Sequence, residues 1–431
     1  MGTSPFTIFN LTEDQAITIL GKSSAQLEDP SDRYIAASRL VNFPSVRSIN
    51  ALIAAIQNNE PGLNNRIVRR KAVESLGYLK ASVALPIIHS CFEDEDNYTI
   101  ENAVWAIGEI STQDESILED ITKLLEKSKL NYRIIIHTLA KLKYYPALER
   151  IRKFSTSKDL AIFSAAITTI CRFTEDYTQM YKVVDLLQHC NVNIRRTCIQ
   201  DLIDAKYYAA LPEIANCAVS PVFRLRGIRL LAEPGILSEE IEFADIKPYL
   251  EQVIFDHPDT LKLVHKYEQT PSVEFTINGI YETDFGRCYL ATKTLLDIYS
   301  DIATEKIIMT YVEKACHDYS AHYHVIKLLG WLKHQPAYDL LFKVLHNTDP
   351  IFQKSRTAAV IAFGELEDKR IIPELKKTLV QTDIWDLKYA CLMTLDKLGD
   401  NTSFSIKTKD KDLFVQSKAM DLLSHYHQPK H

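Results

Sequence analysis

RRKAVESLGYL, residues 69–79, sets the frame for the whole chain. A small residue, Ala72, is followed four positions later by Leu76 and then by Gly77, and Arg69 stands eight residues before that glycine. Apolar and small side chains recur here at helical rather than strand spacing, so the stretch reads as a helix turning one stripe toward a neighbour. The pattern returns in NAVWAIGEI (102–110), SRTAAVIAFGEL (355–366) and YACLMTLDKLG (389–399). DRYIAASRLVNF (32–43), YRIIIHTLAKL (132–142), FSAAITTICRF (163–173) and IRRTCIQDLIDA (194–205) keep it without the glycine.

The slot eight residues before the glycine serves as an anchor. It falls at Arg33, Arg69, Ile100, Tyr132, Phe163, Arg195, Arg224, Cys288, His322, Arg356 and Cys391, with most gaps 29–36 residues long and one exception, 224 to 288. Each anchored helix has a companion apolar run, such as ALPIIHSCF (84–92) or AYDLLFKVL (337–345). Pro86, Pro146, Pro212, Pro336 and Pro373 sit near the starts of these companions, where a first-turn proline costs no hydrogen bond. A lone helix pair cannot bury its stripe, whereas stacked pairs can, so the predicted fold is all-α, an α/α solenoid. The period, the recurring arginine and the Leu-Gly ending resemble HEAT repeats over residues 30–400. The predicted organisation is N-terminal repeats over 1–232, an insertion over 233–283, C-terminal repeats over 284–420 and a frayed tail over 421–431. The insertion holds the one strand-like alternation, Val273, Phe275 and Ile277, and is expected to be a long loop with a short hairpin.

Composition narrows the function. The 431 residues are 46% hydrophobic and 25% charged, as in a packed soluble protein. With 50 basic against 56 acidic residues, the net charge of −6 gives no electrostatic case for a nucleic-acid partner. Only 12 glycines argue against a Rossmann or P-loop fold. No stretch approaches the roughly 18 apolar residues of a membrane span, and MGTSPFTIFNLTED at the N-terminus lacks the charge-then-apolar order of a secretory signal. The eight cysteines form no CxxC pair and sit mostly in apolar helical runs, as expected for buried thiols in a reducing cytosol. No His/Cys/Asp set has zinc spacing, so no metal is predicted. The DFG triplet at 284–286 stands without a glycine-rich loop or HRD and does not indicate a kinase.

Relative to each anchor, positions −3, +1, +5 and +9 share a face beside the stacking stripe. That face reads Arg66, Arg70 and Glu74; then Asn97, Glu101 and Trp105; then Arg196 and Gln200; and finally Tyr319, Tyr323, Lys327 and Trp331. Arginines, aromatics and acids along one groove wall suit a large, flat, anionic, conjugated ligand; a protein partner is the plainer alternative. In HDYSAHYHVIKLLGWLK (317–333), Asp318 fills the −4 slot that also holds Asp29, Asp96, Asp159, Asp284 and Asn191. A residue shared by so many repeats reads first as a helix N-cap. His322 stands where other repeats place arginine and reads as a partly buried imidazole; His317 and His324 are expected to point outward.

NLTEDQAITILGK (10–22), PSDRYIAASRLV (30–41), NYTIENAVWAIGEI (97–110) and DHPDTLKLVHKYEQTPSVEFTINGIYETDFGRCYLATKTLLDIYSD (256–301) resemble the E/F-type phycobilin lyases. The likeness is particular to the phycoerythrobilin lyases of phycoerythrin and their lyase-isomerase relatives. It implies an enzyme with no permanent cofactor that holds a linear tetrapyrrole, phycoerythrobilin, and a phycoerythrin subunit, with alpha as the expected acceptor. A cysteine thiol of the subunit is joined to ring A as a thioether. Thiol addition calls for an acid–base pair, for which Asp318 and Tyr319 are the candidates, with His322 in support. Arg66, Arg70 and Arg196 would meet the propionates, Glu101 the ring N–H groups, and Trp105 and Tyr323 the π-system, with Lys327 a further bilin-binding residue on the same wall. The compartment implied is the cyanobacterial cytosol or an algal plastid stroma. Two alternatives stand beside this reading: a lyase-isomerase yielding phycourobilin, and a non-enzymatic HEAT scaffold or chaperone of the phycobilisome. His189-Cys190, with Asn193, partly matches a motif of phycoviolobilin lyase-isomerases, but its flanks differ.

Overall fold

A computed structural model describes residues 10–427 of the chain. Its contacts divide the chain into two units, Met1–Met180 and Tyr181–His431. Among the described residues no strand forms, and the β-pairing they contain is the isolated bridge between Cys217 and Lys262. In the first unit the helices Asp32–Arg39, Leu63–Tyr78, Asn97–Ile110, Tyr132–Lys141 and Leu160–Thr174 pack in succession. In the second unit Val192–Asp204 packs on Pro221–Leu237. Beyond the insertion, Phe285–Asp297, Tyr319–Trp331, Gln353–Leu366, Trp385–Lys397 and Leu413–His427 stack in order. Each unit is therefore an α-solenoid of stacked helix pairs, as the repeat frame predicts. Among the described residues no helix is long and apolar enough to cross a membrane.

The Leu-Gly ending has a packing cause. A Cβ on Gly77 would lie 2.9 Å from the Cα of Ala106, and one on Gly330 would lie 2.7 Å from the Cα of Ala362. Successive helices thus approach backbone to backbone, at a distance only glycine against alanine allows. The recurring arginine has an electrostatic cause. Arg69 Nε donates to Ile56 O at 2.9 Å, Arg195 Nη1 to His189 O at 2.7 Å, Arg224 Nη1 to Ala215 O at 3.1 Å and Arg356 Nε to Leu345 O at 2.8 Å. Each guanidinium satisfies carbonyls left open at the end of the preceding companion helix, where the helix dipole favours a cation. Arg69 also pairs with Asp94 at 2.6 Å and Arg195 with Asp284 at 2.5 Å.

The −4 slot behaves as a column of N-caps. Asp159 accepts from Ala161 N at 2.9 Å, Asn191 from Asn193 N at 2.9 Å, Asp284 from Gly286 N at 2.8 Å and Asp318 from Ala321 N at 2.7 Å.

Three sequence expectations change. The insertion, which lies wholly in the second unit, contains no hairpin; it forms the helix Phe243–Phe255, a 3-10 turn Pro258–Thr260 and a short helix Val273–Asn278. Val273 and Ile277 stand four residues apart and both bury in one helical turn, while Phe275 is exposed. A helix satisfies that short alternation as well as a strand does, and Ser272 starts it by accepting from Phe275 N at 3.2 Å. The tail is not frayed over 421–427: the helix Leu413–His427 is tied to the insertion helix by Lys247–Asp421 at 2.7 Å and Lys418–Glu251 at 2.6 Å. Residues 428–431 lie outside the described part. His324, expected outward, is buried against Thr292 Oγ1 at 3.1 Å between the rings of Phe285 and Tyr289.

Candidate active site

The insertion helix Phe243–Phe255 ends at Asp256, which takes left-handed backbone angles (φ 52°) and points its carboxylate into the repeats. Asp256 forms an ion pair with Arg224, accepts from Tyr289 Oη at 2.7 Å and accepts from Tyr323 Oη. Arg224 Nη2 also donates to Tyr289 Oη at 2.8 Å, and Lys327 Nζ donates to Phe255 O at the end of the insertion helix. This closed network fixes the insertion to the helix Tyr319–Trp331 and sets the ring of Tyr323.

Tyr323 is one wall of a cavity of about 390 Å³ in the second unit, within the size range of small-molecule sites. Val222, Leu225 and Leu230 of the helix Pro221–Leu237 face Val253 and Ile254 of the insertion helix across it. Gln353, Lys354, Thr357 and Ala358 form another side, and Ile384, Trp385 and Asp386 close it. Apolar walls thus surround a few polar groups: Arg226, Arg229, Lys354, Asp386 and Tyr323. The guanidinium of Arg229 stacks 4.9 Å from the ring centre of Trp385 and pairs with Asp412 at 2.7 Å. Arg226 is exposed and donates to Gln200 at 2.8 Å.

Two groups in the cavity are tuned in opposite directions. Lys354 is 7% exposed, its Nζ donates to Tyr319 O at 2.7 Å, and among the described residues no carboxylate lies at ion-pair distance from it. The ring of Phe285 lies 4.9 Å from the ammonium and that of Tyr323 5.7 Å. Burial among rings lowers the pKa of the amine to about 6, which Cys288 and Asp318 only partly oppose. Burial pushes the carboxyl of Asp386 the other way, above the usual range, against a hydrogen bond from Thr357 Oγ1 at 3.1 Å. An amine whose pKa is lowered and a carboxyl whose pKa is raised, facing one space, are tuned as acid–base groups are.

A second cavity, of about 230 Å³, is lined by Arg196, Phe223, Tyr281, Phe285, Asp318 and Tyr319 among others. Phe285, whose ring touches both Tyr319 and Tyr323, and Lys354, which holds the Tyr319 carbonyl, stand between the two spaces.

The structure sorts the residues singled out from sequence. Arg196, Asp318 and Tyr319 come together at the smaller cavity, and Tyr323 at the larger. The Asp318 carboxylate is occupied by the backbone N–H groups of Ser320 and Ala321. The guanidinium of Arg196 lies 4.7 Å over the ring of Phe223. His322 does not reach either cavity: it is buried, its Nδ1 lies 2.8 Å from Ser355 Oγ, and burial lowers its pKa to about 4. Lys327 likewise borders neither cavity, because its ammonium is committed to the Phe255 carbonyl. The remaining four belong to the first unit. Arg70 is held in a fork by Asp96, with both contacts at 2.6 Å, and lies 4.6 Å over the ring of Tyr98. Glu101 accepts from Asn131 N at 2.8 Å and its pKa is raised by burial; Trp105 stands edge-on to Tyr78 at 4.8 Å; Arg66 is exposed.

Sequence reasoning missed Lys354, Asp386, Arg226, Arg229, Trp385 and Asp256. A signal for part of the cavity existed. The face rule that found Tyr323, applied at anchors Arg224 and Arg356, gives Leu225 and Arg229, and Gln353 and Thr357, all of which line the cavity. Lys354 and Asp386 fall outside those slots.

Residues 68–94 match the family model described as PBS lyase HEAT-like repeat. The chain is 55% identical to an uncharacterized phycocyanin operon protein Y of Pseudanabaena tenuis (strain PCC 7409), over 96% of this chain and 98% of that one. It is 31% identical to the bilin biosynthesis protein CpeY of Synechococcus sp. (strain WH8020), over 92% of this chain and 98% of that one. Among solved structures, the complex of CpcE and CpcF of phycocyanin lyase from Nostoc sp. PCC7120 is similar at 24% identity with a TM-score of 0.48, covering 56% of this chain and 94% of that one. With relatives matched over nearly their full length, the chain belongs to the E/F-type phycobilin lyase family.

Proposed function

We propose that the chain is a phycobilin lyase that attaches phycoerythrobilin through a thioether bond to a cysteine of a phycoerythrin subunit, alpha being the expected acceptor. The observation that carries this reading is the larger cavity, which combines apolar and aromatic walls with cations and an acid–base set. A bilin is a long π-system with two propionates and several ring N–H groups. Arg226, bonded to an amide only among the described residues, suits a propionate, Trp385 and Tyr323 suit the π-system, and Asp386 suits a ring N–H. Asp318 and Tyr319, which line the smaller cavity, are the residues we assign to the reacting ring. Asp318, already accepting two backbone N–H groups, serves as an acceptor rather than as an acid, and the half-exposed phenol of Tyr319 serves as a donor. The choice of phycoerythrobilin and phycoerythrin rests on the resemblance of the stretch 256–301 to the phycoerythrobilin lyases. The likeness to a protein named for bilin biosynthesis supports a bilin as the ligand.

Incubation with phycoerythrobilin and apo-phycoerythrin alpha subunit tests the reading. An acid-stable coloured adduct on the subunit is expected, and its absorption tells phycoerythrobilin from phycourobilin, the product of a lyase-isomerase. Bilin held without any covalent product would replace the enzyme with a scaffold or chaperone.

A further inference from the structure

We infer that Lys354 is a catalytic residue of the attachment reaction, its amine taking the proton from the acceptor cysteine as the sulfur adds to ring A. This rests on the lyase reading above. The geometry singles Lys354 out among the groups available. It borders the larger cavity and reaches, through the Tyr319 carbonyl, the edge of the smaller one beside an exposed phenol. A bilin in the first space and a thiol arriving past Tyr319 would meet at this amine. The groups facing it from the helix Tyr319–Trp331 are Asp318, Tyr319, Tyr323, His322 and His324; from Phe285–Asp297, Cys288; and from the start of Trp385–Lys397, Asp386. Arg226 and Arg229 line the same cavity. Most of these are engaged elsewhere, Asp318 with the backbone N–H groups of Ser320 and Ala321. Tyr323 gives its hydroxyl to Asp256, and His322 and His324 are sealed in packing. The Cys288 thiol is pushed up to about 12 by burial, and Asp386 already accepts from Thr357 Oγ1 at 3.1 Å.

The step balances without an oxidant. Lys354 Nζ accepts the thiol proton as the sulfur forms the C–S bond, and the π-electrons of the attacked double bond shift toward the neighbouring ring carbon, which receives that same proton back from the lysine. Return of the lysine proton to the bilin completes an addition of S–H across C=C and regenerates the amine.

The test measures initial rates of adduct formation by the full chain with phycoerythrobilin and apo-subunit from about pH 5 to about pH 9. Bilin affinity is measured by absorbance titration alongside. For the wild type the rate should rise through about pH 6. Lys354→Met should lower it about a hundred-fold, leave bilin affinity within about two-fold, lose the rise near pH 6, and be partly rescued by a small primary amine such as methylamine. Lys354→Arg should be as poor, although a guanidinium can still donate to the Tyr319 carbonyl, because it stays charged. If Lys354→Met keeps the wild-type rate and pH profile, or loses rate and bilin affinity in parallel with no amine rescue, Lys354 is a structural peg and the proposal falls. If the wild type forms no adduct at all, the lyase reading falls and takes this one with it.

Discussion

Arg224 and Asp256 form an ion pair with both side chains wholly withdrawn from solvent. The pair joins an anchor arginine of the repeats to the residue that caps the C-terminus of the insertion helix, and two tyrosines complete the carboxylate's shell. A buried pair of this kind contributes little over apolar packing, but removing one member strands a charge in a low dielectric. Asp256→Ala should therefore destabilise the second unit by about 3–5 kcal/mol. Tyr323→Phe, which removes one hydrogen bond to a charged acceptor, should cost about 1.5–3 kcal/mol. Urea unfolding followed by circular dichroism measures both. If Asp256→Ala unfolded like the wild type, the network would not be what holds the insertion.

Gly330 sits where a Cβ would come within 2.7 Å of the Ala362 backbone, so Gly330→Ala must push two stacked helices apart. Overpacking of this sort costs about 1–3 kcal/mol. Gly21→Ala is the contrast: its Cβ would meet nothing nearer than 3.5 Å, and its φ is −76°. Thermal melts of the two variants should separate clearly, with Gly21→Ala at or above the wild type. Equal melting points would mean the Leu-Gly signature has no packing role.

How much of this was readable beforehand follows from what a periodic pattern encodes. Stacking is local and repeated, so the glycine at +8, the arginine at the anchor and the acid at −4 announced the solenoid and its caps. The cavity is not repeated. It depends on Asp256, whose partners Arg224, Tyr289 and Tyr323 stand 32, 33 and 67 residues away in sequence and come together through a folded insertion. The face rule found Tyr323 because that residue keeps its slot. It placed Lys327 in the groove because the rule cannot see that the end of another helix takes its ammonium. Lys354 sits at −2 and Asp386 at −5, slots that the face rule does not sample. His322 kept its slot too, but that slot is where the anchor arginines are buried, and it buried the imidazole with them.

That burial has a pH consequence. His322 titrates near 6.5 in an unfolded chain and near 4 in the folded protein. Above about pH 6.5 both states are neutral and the group is indifferent. Between about pH 6.5 and about pH 4 the unfolded chain takes a proton that the folded chain refuses, so stability falls toward acid, by about 3 kcal/mol over the window. His324, held low by the same cause, acts in the same direction. Urea midpoints at several pH values should fall for the wild type across this window and fall less steeply for His322→Gln, which can still reach Ser355. Parallel curves would place His322 in water instead of in the core.

Bilin affinity should separate the two arginine sets. Arg226 is exposed at the cavity mouth and bonded only to an amide among the described residues, so its charge is available to a propionate. Arg70 is already forked by Asp96, with both contacts at 2.6 Å, and a ligand carboxylate would have to displace that partner. Arg226→Ala is expected to weaken phycoerythrobilin binding about ten-fold, a loss of about 1.4 kcal/mol, and the loss should shrink as salt is raised. Trp385→Leu should cost a similar factor by removing a stacking face, without the salt dependence. Arg70→Ala is expected to leave affinity unchanged and instead to lower the stability of the first unit, since it frees the cap at Asp96. Absorbance titrations at two ionic strengths decide the matter. Should Arg70→Ala weaken binding as much as Arg226→Ala, the propionates are held in the first unit, and the larger cavity is not where they dock.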